Sequence, residues 1–262
     1  MYIIDAHVHL GLKQFVGKIP EERLNLPAFQ FPIENTIESQ LELMDETGIA
    51  KAVIFPYPYK EIDYGKANSY IIEAAEKFPD RFIPFGLLCN NSKVIKSWAK
   101  KGMQGFKLHL VYQDKPVTYY NKVYKLLEEK GLPLIVHASF NNKVNDINEI
   151  LKVAPCLKII LAHMGRKWPG RGDGALDVIY GVKEFGNVFF ETSTVKDSIL
   201  LESAIELVGE HRIVFGSDYP FGHRNNLVNV IEDEKSFILH ANIPTQKKDL
   251  IFSRNMIRII MS

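Results

Sequence analysis

The sequence is poor in cysteine. Among its 262 residues only Cys89 and Cys156 are cysteines, and they form no CxxC pair. A disulfide framework needs several cysteines, and a cysteine-bound metal needs them closely spaced. Both are excluded as organising features, and the composition fits the reducing environment of the cytoplasm.

The sequence also lacks an excess of one charge and any long apolar run. Its 32 basic and 31 acidic residues leave a net charge of +1. Nucleic acids and anionic membranes need a concentrated basic face, so neither is expected as a partner. No run approaches the ~18 apolar residues of a membrane span, and the first residues show no signal-peptide pattern. We therefore expect a cytoplasmic protein.

Short apolar runs recur along the whole chain. They are almost continuously hydrophobic, which is typical of parallel strands buried on both faces. The predicted strands cover residues 2–8, 52–56, 82–88, 105–109, 133–138, 158–163, 188–193 and 212–218.

Helical patterns fill most of the gaps between these runs. The first is predicted to begin at a capping box with Asn35 as N-cap and Glu38 three residues later, and to end at Gly48. The others cover residues 92–102, 120–131, 141–154, 174–186, 197–210, 227–240 and 244–261.

This alternation predicts an α/β fold, a single-domain (β/α)8 TIM barrel over residues 1–262. A doubly wound open sheet is the alternative, but the turn after the first strand, HVHLGLKQ, lacks the Gly-rich phosphate loop common in that fold. Residues 11–34 form a long irregular stretch containing Phe29 and Phe31. Loops of this length in compact domains are usually functional, and we interpret this one as a lid over the active site.

Histidines gather at the ends of the predicted strands. In a barrel these ends form one face, where active sites lie. Side chains two residues apart on a strand point the same way, so His7 and His9 should face inward together, as should Lys107 and His109. The other strand-end groups are His137, His163, Glu191-Thr192-Ser193 and Asp218.

Neutral imidazoles and a carboxylate on rigid strands are ligands that Zn²⁺ prefers. A metal ion with an open position lowers the pKa of a bound water from near 16 to about 7. Asp218 would take a proton from that water, and His163 would act as a second acid or base. Each residue alone also has an ordinary structural explanation, such as a helix cap for Asp218, and only the combination indicates a metal site.

The segments DAHVHL, GFKLH, IVHAS, LAHMG and FGSDYPFG resemble signatures of the amidohydrolase superfamily. More narrowly, they resemble the amidohydrolase 2 group, which includes relatives of aminocarboxymuconate semialdehyde decarboxylase. The resemblance spans nearly the entire chain and implies a metal-dependent TIM-barrel enzyme. The metal ligands that it implies are His7, His9, His137 and Asp218.

The same resemblance implies catalytic roles for Asp218, as proton acceptor, and for His163, in activating water or binding substrate. In binuclear members the residue matching His163 ligates a second metal, and a carboxylated lysine matching Lys107 bridges the two ions. We favour one divalent ion, most simply Zn²⁺ with Mn²⁺ or Fe²⁺ as alternatives, and an uncarboxylated Lys107 that binds substrate.

The loops after the strands indicate the substrate. Arg166 and Trp168 follow His163, and Tyr112 follows His109. Aromatic walls with a guanidinium suit a small organic acid, because arginine pairs with carboxylates through two hydrogen bonds. We expect Arg166, Trp168, His109 and Tyr112 to bind substrate.

Three functions remain open at this point. The first is a metal-dependent hydrolase acting on an ester, lactone or amide bond of a small organic acid. The second is a nonoxidative decarboxylase that uses the same metal site, and the third is a metal-bearing binding or scaffold protein. The natural substrate and the oligomeric state, including a homo-oligomer, stay open as well.

Overall fold

Eight parallel strands form the centre of the molecule. The computed structural model describes residues 1–26, 29, 33–167, 172, 174–221 and 227–261. The strands pair in chain order, each with the next. They are β1 Ile4–His9, β2 Lys51–Phe55, β3 Phe82–Leu87, β4 Gly105–His109, β5 Leu134–His137, β6 Ile159–Leu161, β7 Val188–Glu191 and β8 Ile213–Val214.

Helices follow the strands and cover the outside of the sheet. Their apolar sides pack on the outward-facing residues of the strands in one large hydrophobic core. The α-helices are α1 Glu21–Leu24, α2 Ile37–Thr47, α3 Tyr64–Lys77, α4 Ser92–Lys100, α5 Asn121–Glu129, α6 Lys143–Val153, α7 Ala175–Val182, α8 Ser198–Val208, α9 Leu227–His240, α10 Thr245–Asp249 and α11 Asn255–Met261. Within the described part of the chain, no helix is long and apolar enough to cross a bilayer.

The sheet curls into a barrel that closes between its last and first strands. Beyond β8 the chain continues alongside β1, where Ala6 N donates to Phe215 O at 2.9 Å and His9 N donates to Tyr219 O at 2.8 Å. The Asp5 carboxylate joins the same seam by accepting from Ser217 N at 3.0 Å. The architecture is therefore the predicted (β/α)8 barrel, and the doubly wound alternative is excluded.

A second, smaller core fills the barrel. Apolar side chains from the strands meet inside it, and Met256 and Ile259 of α11 pack against them. This arrangement leaves the opposite end, at the carboxyl ends of the strands, for polar groups. The interior strand residues are Ile4, Ala6, Val53, Phe55, Ile83, Phe85, Ile135, Ile160, Phe189 and Val214.

A bulge in β1 separates this core from the polar end. Ile4 and Asp5 pair with Lys51 and Ala52, whereas Val8 and His9 pair with Ile54 and Phe55, so β1 has one extra residue between the two pairs. The extra residue resets the alternation of sides. Ala6 therefore belongs to the interior core while His7, the next residue, also reaches the barrel axis.

The structure differs from the predicted elements in local ways. Helix α3 was not predicted; it is capped by Asp63, whose side chain accepts from Lys66 N. Helix α2 begins one residue later than expected, because the N-cap is Thr36 and its reciprocal partner is Ser39 rather than Glu38. Strands β6 and β8 end earlier than predicted, since the chain turns away from the sheet before His163 and Asp218.

Candidate metal centre and active site

Two histidines of β1 and one aspartate after β8 converge at the polar end of the barrel. The ligand atoms of His7, His9 and Asp218 all lie within 4.8 Å of one another. Asp218 Oδ1 is 3.1 Å from His7 Nε2 and 3.3 Å from His9 Nε2. Asp218 has a left-handed backbone, with φ of 60°, and this conformation follows directly on the barrel seam.

The outer nitrogens of both imidazoles are already hydrogen bonded. His7 Nδ1 is 2.7 Å from Glu191 Oε2, and His9 Nδ1 is 3.3 Å from the carbonyl oxygen of Pro56. Both partners accept, so each Nδ1 carries its hydrogen and each neutral ring presents a lone pair at Nε2. Two lone pairs then face a carboxylate oxygen, an arrangement that could hold a cation.

The charges around this group agree with that conclusion. Burial lowers the pKa of His9 to about 4, so His9 is neutral and able to ligate. Burial and Lys107 also lower the pKa of His7, yet Glu191 and Asp218 outweigh them and the net shift is upward. Burial would raise the pKa of Asp218, but the neighbouring histidines hold it well below its usual range. The group attracts positive charge, and its donor set fits a divalent ion.

His137 and His163 lie beside this group and contact each other. His163 Nε2 is 3.1 Å from His137 Nδ1, and the His163 ring stacks on His7 with centroids 5.1 Å apart. In the structure as described His137 is not one of the three atoms that converge at Asp218, so its role as a ligand stays a prediction. Burial holds the pKa of both rings well below the usual value, so both are neutral.

His163 reaches the site from a tight turn rather than from a strand. The turn Ala162–Gly165 contains left-handed residues, with φ of 57° at His163 and 72° at Gly165. A side chain at Gly165 would come within 2.7 Å of Val178 Cγ1 on α7, so the turn is packed against that helix. Nδ1 of His163 bonds Ser193 Oγ at 2.8 Å.

Lys107 lies fully buried in the middle of this cluster. Its Nζ is 3.0 Å from His7 Nε2. Burial lowers its pKa to about 8, although Asp218 and Glu191 act in the opposite direction. Lys107 is therefore easily made uncharged, which is the form that can accept CO₂ or transfer a proton.

His109 stacks on His137 with ring centroids 3.9 Å apart. Its Nδ1 accepts a hydrogen bond from Tyr112 N at 3.2 Å. Because Nδ1 is the acceptor, the neutral ring carries its hydrogen on Nε2. His109 is thus a hydrogen-bond donor in the site and presents no lone pair at Nε2.

The remaining predicted residues lie around the rim. Arg166 Nε donates to Thr194 Oγ1 at 2.7 Å, so the guanidinium is held against the loop after β7. The Tyr112 ring is 4.4 Å from the His109 ring, centroid to centroid. Trp168 and Phe31 lie outside the described residues.

Part of the predicted lid segment is bound to the loop after β2. Arg23 donates to the Tyr112 carbonyl oxygen at 3.0 Å and pairs with Glu61 at 2.8 Å. The Phe29 ring packs on Tyr59 with centroids 4.5 Å apart. These aromatic contacts continue through Tyr57 to His9. The described residues of segment 11–34 are thereby connected to the metal group, and the action of this segment as a lid stays a prediction.

Sequence reasoning gave Glu191 no role, although it lies among the strand-end residues. It is fully buried and belongs to a second group of ligand atoms, with His7 and His163, that also lie within 4.8 Å of one another. The rule applied to His7 and His9 would have found it: Phe189 faces the barrel interior, so Glu191, two residues later, must do so too.

A (β/α)8 barrel with imidazoles and a carboxylate converging at the carboxyl ends of its strands defines a class of metal-dependent barrel enzymes. The model of the amidohydrolase family matches residues 4–259, and the chain belongs to this family. It is a metal-dependent enzyme of that family. A comparison with the curated proteins gives no significant match.

Solved structures with the same fold come from both kinds of enzyme. The "probable 2-pyrone-4,6-dicarboxylic acid hydrolase" of Acinetobacter baumannii, with citric acid bound, has 15% identity and a TM-score of 0.74, with 99% of each chain covered. A 2,6-dihydroxybenzoate decarboxylase complexed with 2,6-dihydroxybenzoate has 17% identity and a TM-score of 0.70, with 100% of this chain and 99% of that chain covered. The 5-carboxyvanillate decarboxylase of Sphingomonas paucimobilis has 18% identity and a TM-score of 0.72, over 99% and 98%.

Proposed function

We propose that this protein is a hydrolase that cleaves an ester, lactone or amide bond of a small organic acid with the help of one divalent metal ion. The observation that carries the proposal is the convergence of His7 Nε2, His9 Nε2 and Asp218 Oδ1, with the outer nitrogen of each imidazole already bonded. Such a set binds a cation and leaves room for further ligands.

The ion would be held by His7, His9 and Asp218, with His137 as the fourth protein ligand. Zn²⁺ suits this mixture of nitrogen and oxygen donors best, and Mn²⁺ or Fe²⁺ are alternatives. When bound, such an ion lowers the pKa of a coordinated water and polarises a substrate carbonyl. We favour one ion, with Lys107 as an uncarboxylated amine next to His7.

Two residues of the site move protons in this proposal. Asp218 accepts the proton that the attacking water loses, and its strongly lowered pKa keeps it ionised to do so. His163 is neutral, and its Nε2 takes up a proton and then passes that proton to the leaving group. Both groups contact His7.

Five other residues orient the substrate. The Nε2 hydrogen of His109 donates to a substrate oxygen, and Lys107 in its charged form pairs with a substrate carboxylate. Arg166 and Trp168, on the loop after β6, bind the distal part of the acid, and the ring of Tyr112 forms one wall. A carboxylate substrate agrees with this concentration of donors.

A nonoxidative decarboxylase is the second candidate. It is supported by the shared fold of two decarboxylases, one of them complexed with 2,6-dihydroxybenzoate. In that reaction the substrate carboxylate leaves as CO₂ and no water is consumed. His163 would first take up a proton at Nε2 and then transfer it to the carbon that loses the carboxylate.

Elemental analysis and product analysis test the proposal together. The purified chain is analysed for Zn, Mn, Fe and Ni, and then assayed with lactones, esters, amides and aromatic carboxylates. About one equivalent of metal and incorporation of ¹⁸O from labelled water into the product support the hydrolase. Release of CO₂ without ¹⁸O incorporation supports the decarboxylase. Two equivalents of metal per chain, reached only when bicarbonate is added, indicate a carboxylated Lys107. If the chain binds no metal even after reconstitution, both proposals are contradicted.

We also propose a cytoplasmic location. Both cysteines are free thiols, Cys156 is exposed, and neither has a disulfide partner among the described residues. Exposed thiols persist in a reducing compartment. Localisation of the full chain by fractionation tests this point.

A further inference from the structure

Glu191 is a buried carboxylate whose two oxygens both face hydrogen-bond donors. It is the last residue of β7 and is fully buried. Its Oε2 lies 2.7 Å from His7 Nδ1, 2.9 Å from Ser193 Oγ and 3.2 Å from His163 N. Its Oε1 accepts from Ser193 N.

These contacts determine where the hydrogens of the neighbouring side chains lie. The Ser193 hydroxyl has one hydrogen, and it is given to Glu191. Ser193 Oγ must therefore accept from His163 Nδ1, 2.8 Å away. The Ser193 carbonyl oxygen, 3.4 Å from the same nitrogen, can only accept as well. Both contacts require a hydrogen on His163 Nδ1 and leave a lone pair on Nε2.

We propose that Glu191 is a positioning residue that orients two imidazoles of the site with one carboxylate. It holds His7 directly, so that Nε2 faces Asp218, and it holds His163 through Ser193, so that Nε2 faces His137. The inference rests on the proposed metal-dependent function and extends it. It gives the metal ligand and the proton-transfer residue a common support.

The space around Glu191 is shaped for this role. A side-chain carbon at Gly216 would lie 2.3 Å from Glu191 Oε1 and 2.7 Å from its Cδ. The backbone of Gly216 is not in the left-handed region, so glycine is required here for space alone. The carboxylate is thus confined between the segment after β8 and the two histidines.

A second cation on Glu191 is the competing explanation. Glu191, His7 and His163 form a group whose ligand atoms lie within reach of one ion. However, Oε2 already faces three hydrogens, and an ion would have to displace them. The two explanations predict different behaviour when Glu191 loses its charge.

The test uses the full-length chain and two variants, Glu191→Gln and Ser193→Ala. Zn²⁺ affinity is measured by competition with a chelator, and the protonated nitrogen of each histidine is identified by ¹⁵N NMR of histidine-labelled protein. In the wild type, His7 and His163 should both carry the hydrogen on Nδ1. Glu191→Gln should weaken Zn²⁺ binding about 10- to 100-fold, the usual effect of removing a ligand's hydrogen-bond partner.

Ser193→Ala distinguishes the effect of Glu191 on His7 from its effect on His163. It leaves the Glu191–His7 bond intact, so Zn²⁺ affinity should stay within about twofold of wild type. The His163 preference for the Nδ1 hydrogen should weaken, because only the 3.4 Å contact with the residue-193 carbonyl oxygen remains. An Nε2 hydrogen on His163 in the wild type overturns the inference. So does a fall from two Zn²⁺ to one in Glu191→Gln, because Glu191 would then be a ligand.

Failure of this inference is distinguishable from failure of the proposed function. The hydrogen positions are measured without substrate and in metal-free protein as well. If the expected hydrogens are found but no substrate is turned over, the positioning role holds and the reaction is wrong. If Glu191→Gln does not fold, the wild-type spectrum and Ser193→Ala still decide the question.

Discussion

Gly216 offers the sharpest test of the packing that supports the site. Its replacement by alanine adds one methyl group, and the backbone there accommodates any residue. The new carbon would lie 2.3 Å from Glu191 Oε1, 2.7 Å from Cδ and 2.9 Å from Cγ. These distances are far below van der Waals contact, and Glu191 is held by hydrogen bonds on its other sides, so it cannot withdraw without breaking them.

The expected destabilisation follows from this overlap. Overpacking a tight core by one methyl group typically costs about 1–3 kcal/mol. The loss should lie near 3 kcal/mol, at the upper end of that range, because the displaced group is a hydrogen-bonded carboxylate. For a chain of this size each kcal/mol changes Tm by about 2–4 °C, so Tm should fall by about 6–12 °C.

Thermal unfolding of the metal-free protein measures this effect. The matched control is Gly186→Ala, at an exposed glycine whose added carbon would meet nothing within 4 Å. Gly216→Ala combined with Glu191→Asp should be less destabilised than the sum of the single variants, by about 1–2 kcal/mol, since the shorter acid makes room. A Tm for Gly216→Ala equal to that of wild type would refute the reasoning.

Three further predictions concern catalysis, substrate entry and pH. Asp218→Asn should retain most of its metal by elemental analysis but lose about 10²- to 10⁴-fold in kcat, the usual contribution of a general base, and normal turnover would remove Asp218 from that role. Phe29→Ala should raise KM with kcat nearly unchanged if residues 11–34 cover the site, whereas an unchanged KM argues against a lid. Burial raises the pKa of Glu234 to about 8, so the folded state holds a proton there that the unfolded chain loses above its ordinary pKa of 4.5. Stability should therefore decline between about pH 4.5 and 8, and denaturant unfolding of Glu234→Gln should show a smaller decline, while parallel pH curves would contradict the assignment.

The overall architecture was readable from the sequence because each strand is a local, nearly continuous apolar run. A local rule also predicted that His7 and His9 share one face, because side chains two residues apart on a strand point to the same side. Helix α3 was missed because its start lies in a tyrosine-rich segment, although Asp63 is a good N-cap.

Other features depend on groups far apart in the chain. Glu191 contacts His7, which is 184 residues away in the chain, and no local sequence pattern predicts this contact. The left-handed turn at His163 is held by α7, so strand propensity alone extended β6 too far. The bulge in β1 is likewise a property of the pairing with β2 rather than of β1 itself.

The seam of the barrel has a consequence for how the protein matures. Asp5 and Ser217, which close it, are 212 residues apart; His7 lies two residues after Asp5, and Asp218 directly follows Ser217. Closing so long a loop is entropically costly and comes late in folding. The metal group therefore does not exist in a partly synthesised chain, and an ion can be captured only once the first and last strands have met. An ion held by the proposed ligands would bind only the folded state and would link the first and last strands, so metal loading would stabilise the closed barrel.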